Sequence, residues 1–75
     1  MSKVEIFRSD SCAACRALVP QLESLLKNLK IQYTVTNVEK CGQKCSDIRY
    51  VPEVKVNDKI VGIEGLIRMI RAKKL

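Results

Sequence analysis

The side chains able to do chemistry in this 75-residue chain are its four cysteines. It contains no histidine, so no His-based triad, HExxH zinc site or Cys2His2 finger can be built, and thiols and carboxylates are the reactive candidates. Two thiols form Cys12-Ala13-Ala14-Cys15. That spacing, wrapped around the first turn of a helix, brings two sulfurs within disulfide reach. At a helix start, unpaired backbone N–H groups and the helix dipole favour a thiolate at Cys12. Cys12 can then attack a disulfide, and Cys15 can resolve the mixed disulfide that results. Arg8 and Arg16 favour that thiolate and Asp10 opposes it.

The second pair is Cys41-Gly42-Gln43-Lys44-Cys45. At i and i+4 on a helix the two share a face, with Cα atoms about 6 Å apart, a separation that suits a disulfide only with favourable rotamers or an irregular turn. Three readings stay open: a stabilising disulfide, a second redox pair exchanging with the first, or half of a zinc site spaced C-x2-C-x25-C-x3-C. Lys40 and Lys44 favour thiolates there, which serves exchange and metal binding alike.

The elements that must position these thiols can be read from the apolar pattern. Val4 to Phe7 is β-prone and is ended by Ser9, Asp10 and Ser11, residues of turns and helix caps. From Ala13 onward Leu18, Leu22, Leu25, Leu26 and Leu29 form the stripe of an amphipathic helix ending near Lys30. Ile31 to Val38 reads as a second strand, and a helical crossover between the two makes a parallel βαβ unit. The helix after the second strand should begin at the same edge of the sheet as Cys12, which would make the two pairs neighbours. Lys40 to Ile48 can make two helical turns. Pro52 opens a strand over Glu53 to Val56, Asn57-Asp58 turns the chain, and Lys59 to Ile63 returns antiparallel. Glu64 to Lys74 closes as a helix with Leu66, Ile67 and Ile70 inward. The order is βαβαββα in a single domain over residues 1–75.

Composition narrows the function further. A hydrophobic fraction of 47% with one Phe, two Tyr and no Trp gives an aliphatic core and no stacking platform for single-stranded nucleic acid. The net charge of +6 favours acidic surfaces or polyanions without choosing between them. Arg68, Arg71, Lys73 and Lys74 form a solvated helix face with no groove-reading motif beside it, so no nucleic-acid partner is expected. Lys3, Glu5, Arg8 and Asp10 break up the N-terminal segment, and no run approaches the roughly 18 apolar residues of a membrane span. A soluble, cytoplasmic monomer without a membrane partner is expected. In that compartment four cysteines point to catalysis or metal binding more than to a disulfide scaffold.

Taken together, Ser11-Cys12-Ala13-Ala14-Cys15-Arg16 after a strand, Pro20 five places beyond Cys15, Tyr50-Val51-Pro52 opening a strand, and Gly62 and Gly65 before the last helix resemble the thioredoxin and glutaredoxin superfamily in its short form. The likeness runs along almost the whole chain. It implies an α/β, thioredoxin-like fold with a four-stranded mixed sheet and helices on both faces. It also implies a thiol–disulfide oxidoreductase that reduces or exchanges protein disulfides without a cofactor or bound metal, recharged by an upstream reductase or a low-molecular-weight thiol. By resemblance, Cys12 is the exposed nucleophile, Cys15 the buried resolving thiol, Pro20 a kink in the first helix and Pro52 a cis-proline. Tyr50, Val51 and Pro52 then form the substrate-binding edge. Cys41 and Cys45 fall outside the common family pattern.

A different class competes. Ser-x-Cys-Ala-Ala-Cys before an amphipathic helix also resembles the heavy-metal-associated domain of copper chaperones, which binds Cu(I) through two soft thiolates. That domain is βαββαβ and ends in a strand. A soft-metal (copper or zinc) binding protein using the cysteine pairs is therefore the alternative, and the last element discriminates it.

Overall fold

The computed structural model describes residues 3–75, so Met1 and Ser2 of the expected 1–75 domain lie outside the described residues. The elements run β1 (Val4–Arg8), α1 (Ala13–Asn28), β2 (Tyr33–Asn37), α2 (Val38–Cys41), a 3₁₀ turn (Gly42–Cys45), β3 (Glu53–Val56), β4 (Lys59–Ile60) and α3 (Gly62–Arg71). This is an α/β fold in the expected βαβαββα order.

The four strands form one mixed sheet in the order β2-β1-β3-β4. β1 is parallel to β2, from Val4 opposite Tyr33 to Arg8 opposite Asn37. It is antiparallel to β3, from Val4 opposite Val56 to Phe7 opposite Glu53. Side chains alternate across a sheet, and here the alternation divides the molecule. Val4, Ile6, Val54 and Val56 join Cys15, Val19, Leu22 and Leu26 of α1 and Leu66 of α3 in one buried core. Glu5, Phe7, Thr36 and Lys55 point to the opposite face, where they line a groove with Lys40, Cys41 and Lys44. Helices therefore cover both faces, α1 and α3 on one and α2 with its 3₁₀ turn on the other.

Several boundaries differ from expectation for local reasons. In α1 the buried stripe is Cys15, Val19, Leu22 and Leu26, whereas Leu18 and Leu29 are 37% and 45% exposed. Burying Cys15 fixes the helix phase, and that phase turns Leu18 outward. α1 stops at Asn28 because Lys30 adopts φ 58°, with Lys30 N–H donating to Lys27 O and Ile31 N–H to Leu26 O at 2.9 Å. This is a Schellman stop, and it removes Ile31 from β2 while packing it against the core. Expected over Lys40 to Ile48, the second helix instead starts at Val38 and breaks at Gly42, whose φ of 64° and ψ of −136° end α-helical bonding.

The β3–β4 turn holds Asn57 and Asp58 at φ 52° and 69°, the positive pair that matches hairpin twist. β4 is shorter than the expected Lys59 to Ile63. Gly62 at φ 73° swings the chain into α3 two residues before the expected Glu64. Against the core α3 places Ile63, Leu66, Met69 and Ile70, and Ile67 instead lies with Arg68 and Arg71 on the surface. Gly65 is required by proximity, since a Cβ there would meet Val61 Cβ at 2.9 Å.

Candidate active site

The site is built where β1 ends. The chain turns through Ser9–Ser11, with Cys12 N–H donating to Ser9 O at 3.2 Å. Ser9 is buried, and its hydroxyl oxygen accepts from Ser11 N–H at 3.3 Å and pairs with Ser11 Oγ at 3.0 Å. Cys12 is the N-cap of α1, and its Sγ accepts from the backbone N–H of Cys15 at 3.0 Å. A sulfur thus takes the place usually held by a Ser or Asp oxygen. Opposite it, the Cys12 thiol donates to Val51 O at 3.6 Å.

The two thiols are both unlinked and differ in access: Cys12 is half-buried, Cys15 fully buried. Burial pushes the Cys15 thiol above its ordinary 9.0, and its hydrogen bond with Cys12 acts in the same direction. A backbone hydrogen bond from Ser9 and the Arg8 charge oppose that rise. Arg8 is also paired with Asp10, Nη1 to Oδ1 at 3.3 Å, while Arg16 Nη2 donates to Asp10 O at 3.1 Å. Both guanidinium groups thus hold the loop that delivers Cys12.

Val51-Pro52 is a cis peptide bond. The structure therefore brings Cys12, Cys15 and Val51 together and sets Pro52 next in the chain. Tyr50 is 76% exposed, leaving an apolar ring in solvent beside this edge. Sequence reasoning passed over Glu39. Its Oε2 accepts from Asp10 N–H at 3.2 Å and its Oε1 from Ser11 Oγ–H at 3.3 Å. The rule that parallel strands end at one sheet edge pointed to this neighbourhood but named no residue.

Cys41 and Cys45 form a disulfide with Cα atoms 5.7 Å apart. Cys41 follows the end of β2, near the strand end that leads to Cys12, and lines the groove on the face of the sheet opposite to the core that holds Cys15. The four-cysteine zinc reading is not supported by this geometry, because Cys41 and Cys15 lie on opposite faces of the sheet. Among the described residues, no group of three or more Cys, His, Asp or Glu could hold a metal. The copper-chaperone reading fails too, because the last element is the helix α3 and not a strand.

Comparison with known proteins defines the class. A thioredoxin-domain family model matches residues 2–68, and the chain belongs to that family, whose members are generally thiol–disulfide oxidoreductases. Among solved structures it is similar to thioredoxin 1 of the thermophilic eubacterium Thermosipho africanus TCF52B, with a TM-score of 0.72 and 20% identity over 97% of this chain and 99% of that one. It is also similar to glutaredoxin 1 of Francisella tularensis, solved with cacodylate, with a TM-score of 0.63 and 16% identity over 99% of this chain and 98% of that one. No curated protein matches. Thioredoxin-fold proteins generally act on protein substrates with the help of a reductant, and no helix among the described residues is long and apolar enough to cross a membrane.

Proposed function

We propose that this protein is a cytoplasmic, monomeric thiol–disulfide oxidoreductase that reduces or exchanges protein disulfides through Cys12 and Cys15. The observation that carries this reading is the asymmetry of the pair: a half-accessible sulfur receiving a helix N–H at 3.0 Å, with a buried thiol one turn behind it. Thiolate attack needs an accessible sulfur, and Cys12 combines access with a backbone N–H aimed at its Sγ.

The Cys12 thiolate attacks one sulfur of a substrate disulfide, whose S–S bond breaks. The departing substrate sulfur takes up a proton, leaving a mixed disulfide on Cys12. Cys15 then loses its proton and attacks the Cys12 sulfur, releasing the second substrate thiolate and closing Cys12–Cys15. The substrate gains two electrons and the protein loses two. An upstream reductase or a low-molecular-weight thiol returns them. Burial raises the Cys15 thiol, which favours its protonated form before the second step. Tyr50, Val51 and Pro52 form the edge on which an extended substrate lies. Pro52 has no N–H of its own to donate, so backbone pairing there falls to the neighbouring groups.

Insulin-disulfide reduction driven by dithiothreitol tests the reading. The wild-type protein is expected to accelerate precipitation of the insulin B chain, and the Cys12→Ser, Cys15→Ser double variant is expected to match the protein-free rate. Equal rates for folded wild type and double variant would overturn it.

A further inference from the structure

The disulfide that the oxidoreductase cycle does not use is tied to the nucleophile by a single side chain. Glu39 is the second residue of α2, and its two carboxylate oxygens hold the amide of Asp10 and the hydroxyl of Ser11. Those are the two residues before Cys12. Asp10 is otherwise fixed by Arg8 and Arg16, both on the side of the sheet that carries α1, so Glu39 holds the turn from the other side.

What holds Glu39 is weak in itself. α2 has only four residues, and one helical turn does not persist alone in water. Asn37 caps it by accepting from Glu39 N–H at 2.9 Å. At its far end the chain breaks at Gly42, and the Cys41–Cys45 bond spans that break. Cys45 is buried at 7% exposure, whereas Cys41 is half-exposed in a groove beside Lys40 and Lys44, with Lys55 near. Glu5 and Asp58 line the groove too, and Lys55 is paired with Asp47 at 2.8 Å, so Lys40 and Lys44 are the cations that open the Cys41 sulfur to an anionic thiol.

We propose that Cys41–Cys45 is a second redox site and that Glu39 is the positioning residue through which its state reaches Cys12. An anionic low-molecular-weight thiolate attacks the Cys41 sulfur, and Cys45 leaves and takes up a proton. A second thiolate attacks the sulfur now bound to Cys41, releasing the small-molecule disulfide and the Cys41 thiolate, which is protonated in turn. Two electrons enter the protein. With the bond open, the turn that carries Glu39 loses its far anchor and its grip on Asp10 and Ser11 loosens. This inference rests on Cys12 being the nucleophile but not on which disulfides it attacks.

The test is the iodoacetamide alkylation rate of Cys12, followed by peptide mass spectrometry in a Cys15→Ser background so that Cys12 has no intramolecular partner. Four proteins form a cycle: the background, the background with Glu39→Ala, the background with Cys41→Ser and Cys45→Ser, and all changes combined. Opening the second pair, which loosens the Glu39 contacts without removing its charge, is expected to slow Cys12 by about threefold, the scale of a lost exposed hydrogen bond, and once Glu39 is replaced by Ala, opening the pair is expected to have no further effect. In Glu39→Gln, which keeps an acceptor, opening the pair is expected to slow Cys12 again. Multiplying effects, or no effect of opening the pair, would overturn the proposal. Wild-type protein provides a check free of variants. On reduction by dithiothreitol, Cys41–Cys45 is expected to open while the fold persists, and the Asp10 amide to exchange its hydrogen faster. A bond that opens only on unfolding, or unchanged Asp10 exchange after opening, would also overturn it. Failure of insulin reduction with this coupling intact would instead remove the proposed function and leave the coupling standing.

Discussion

The two cysteine pairs sit near one edge of one sheet, yet their surroundings oppose each other. Cys12 caps a sixteen-residue helix, so an N–H is aimed at its sulfur, and its partner is sealed in the main core. Cys41 ends a four-residue helix, and with Cys45 it is closed into a disulfide across a glycine break over the opposite, more polar face. Attack by a thiolate calls for N–H donors and one accessible sulfur, while closing a disulfide calls only for an irregular turn of the right width. The difference lies in which end of a helix the cysteine occupies, since donors crowd the N-terminus and acceptors the C-terminus.

The largest expected effect follows at once. Cys12→Ser should reduce insulin-disulfide turnover to the uncatalysed background, whereas the Cys41→Ser, Cys45→Ser double variant should retain turnover to within about threefold, both read in the same assay. Loss of turnover in the second variant with a folded protein would erase the distinction. Stability should also separate the two faces. Leu66 is fully buried beneath the sheet on the α1 side, and Leu66→Ala should cost about 2–5 kcal/mol in urea unfolding. Loss of the five-residue disulfide loop on the other face should cost about 2 kcal/mol by loop-closure entropy.

Smaller effects come from pH. The Cys15 thiol is raised in the folded protein, so at high pH the unfolded chain releases a proton that the folded one retains. The stability of the reduced protein should therefore be fully present below about 9.0 and fall as pH rises beyond it. In Cys15→Ser that part of the decline should disappear. Smallest is the surface pair on the opposite face, where Lys55 Nζ meets Asp47 Oδ2 at 2.8 Å. The Lys55 hydrogen bond holds the Asp47 carboxyl below its ordinary 3.8. Its contribution should be present above that value and lost as pH falls through the lower folded one, and Asp47→Asn should flatten this acid limb of the melting curve.

The sequence revealed most clearly what is encoded locally. The order of elements followed from apolar periods and from Ser, Asn, Asp and Pro at the turns, and the Cys12-x-x-Cys15 placement followed from a strand running into a helix. Less legible were features set by tertiary phase. Leu18 and Leu29 looked equivalent to Leu22 and Leu26 until burial of Cys15 fixed the rotation of α1. Lys30 and Lys73 end their helices at positive φ without the glycine that would mark such stops. Glu39 fell between the expected strand and the expected helix and drew no reading, yet it occupies the first turn of α2. Its grip on Asp10 and Ser11 spans 29 and 28 residues of chain respectively, a contact no local pattern encodes.

The central claim is that Cys12 attacks and Cys15 resolves. Its most direct test is to incubate the Cys15→Ser protein with a disulfide-containing protein substrate, quench in acid, and map the resulting mixed disulfide by peptide mass spectrometry. The account predicts a stable adduct joined through Cys12, with Cys41–Cys45 still closed. An adduct joined through Cys41 or Cys45, with Cys12 free, would contradict it.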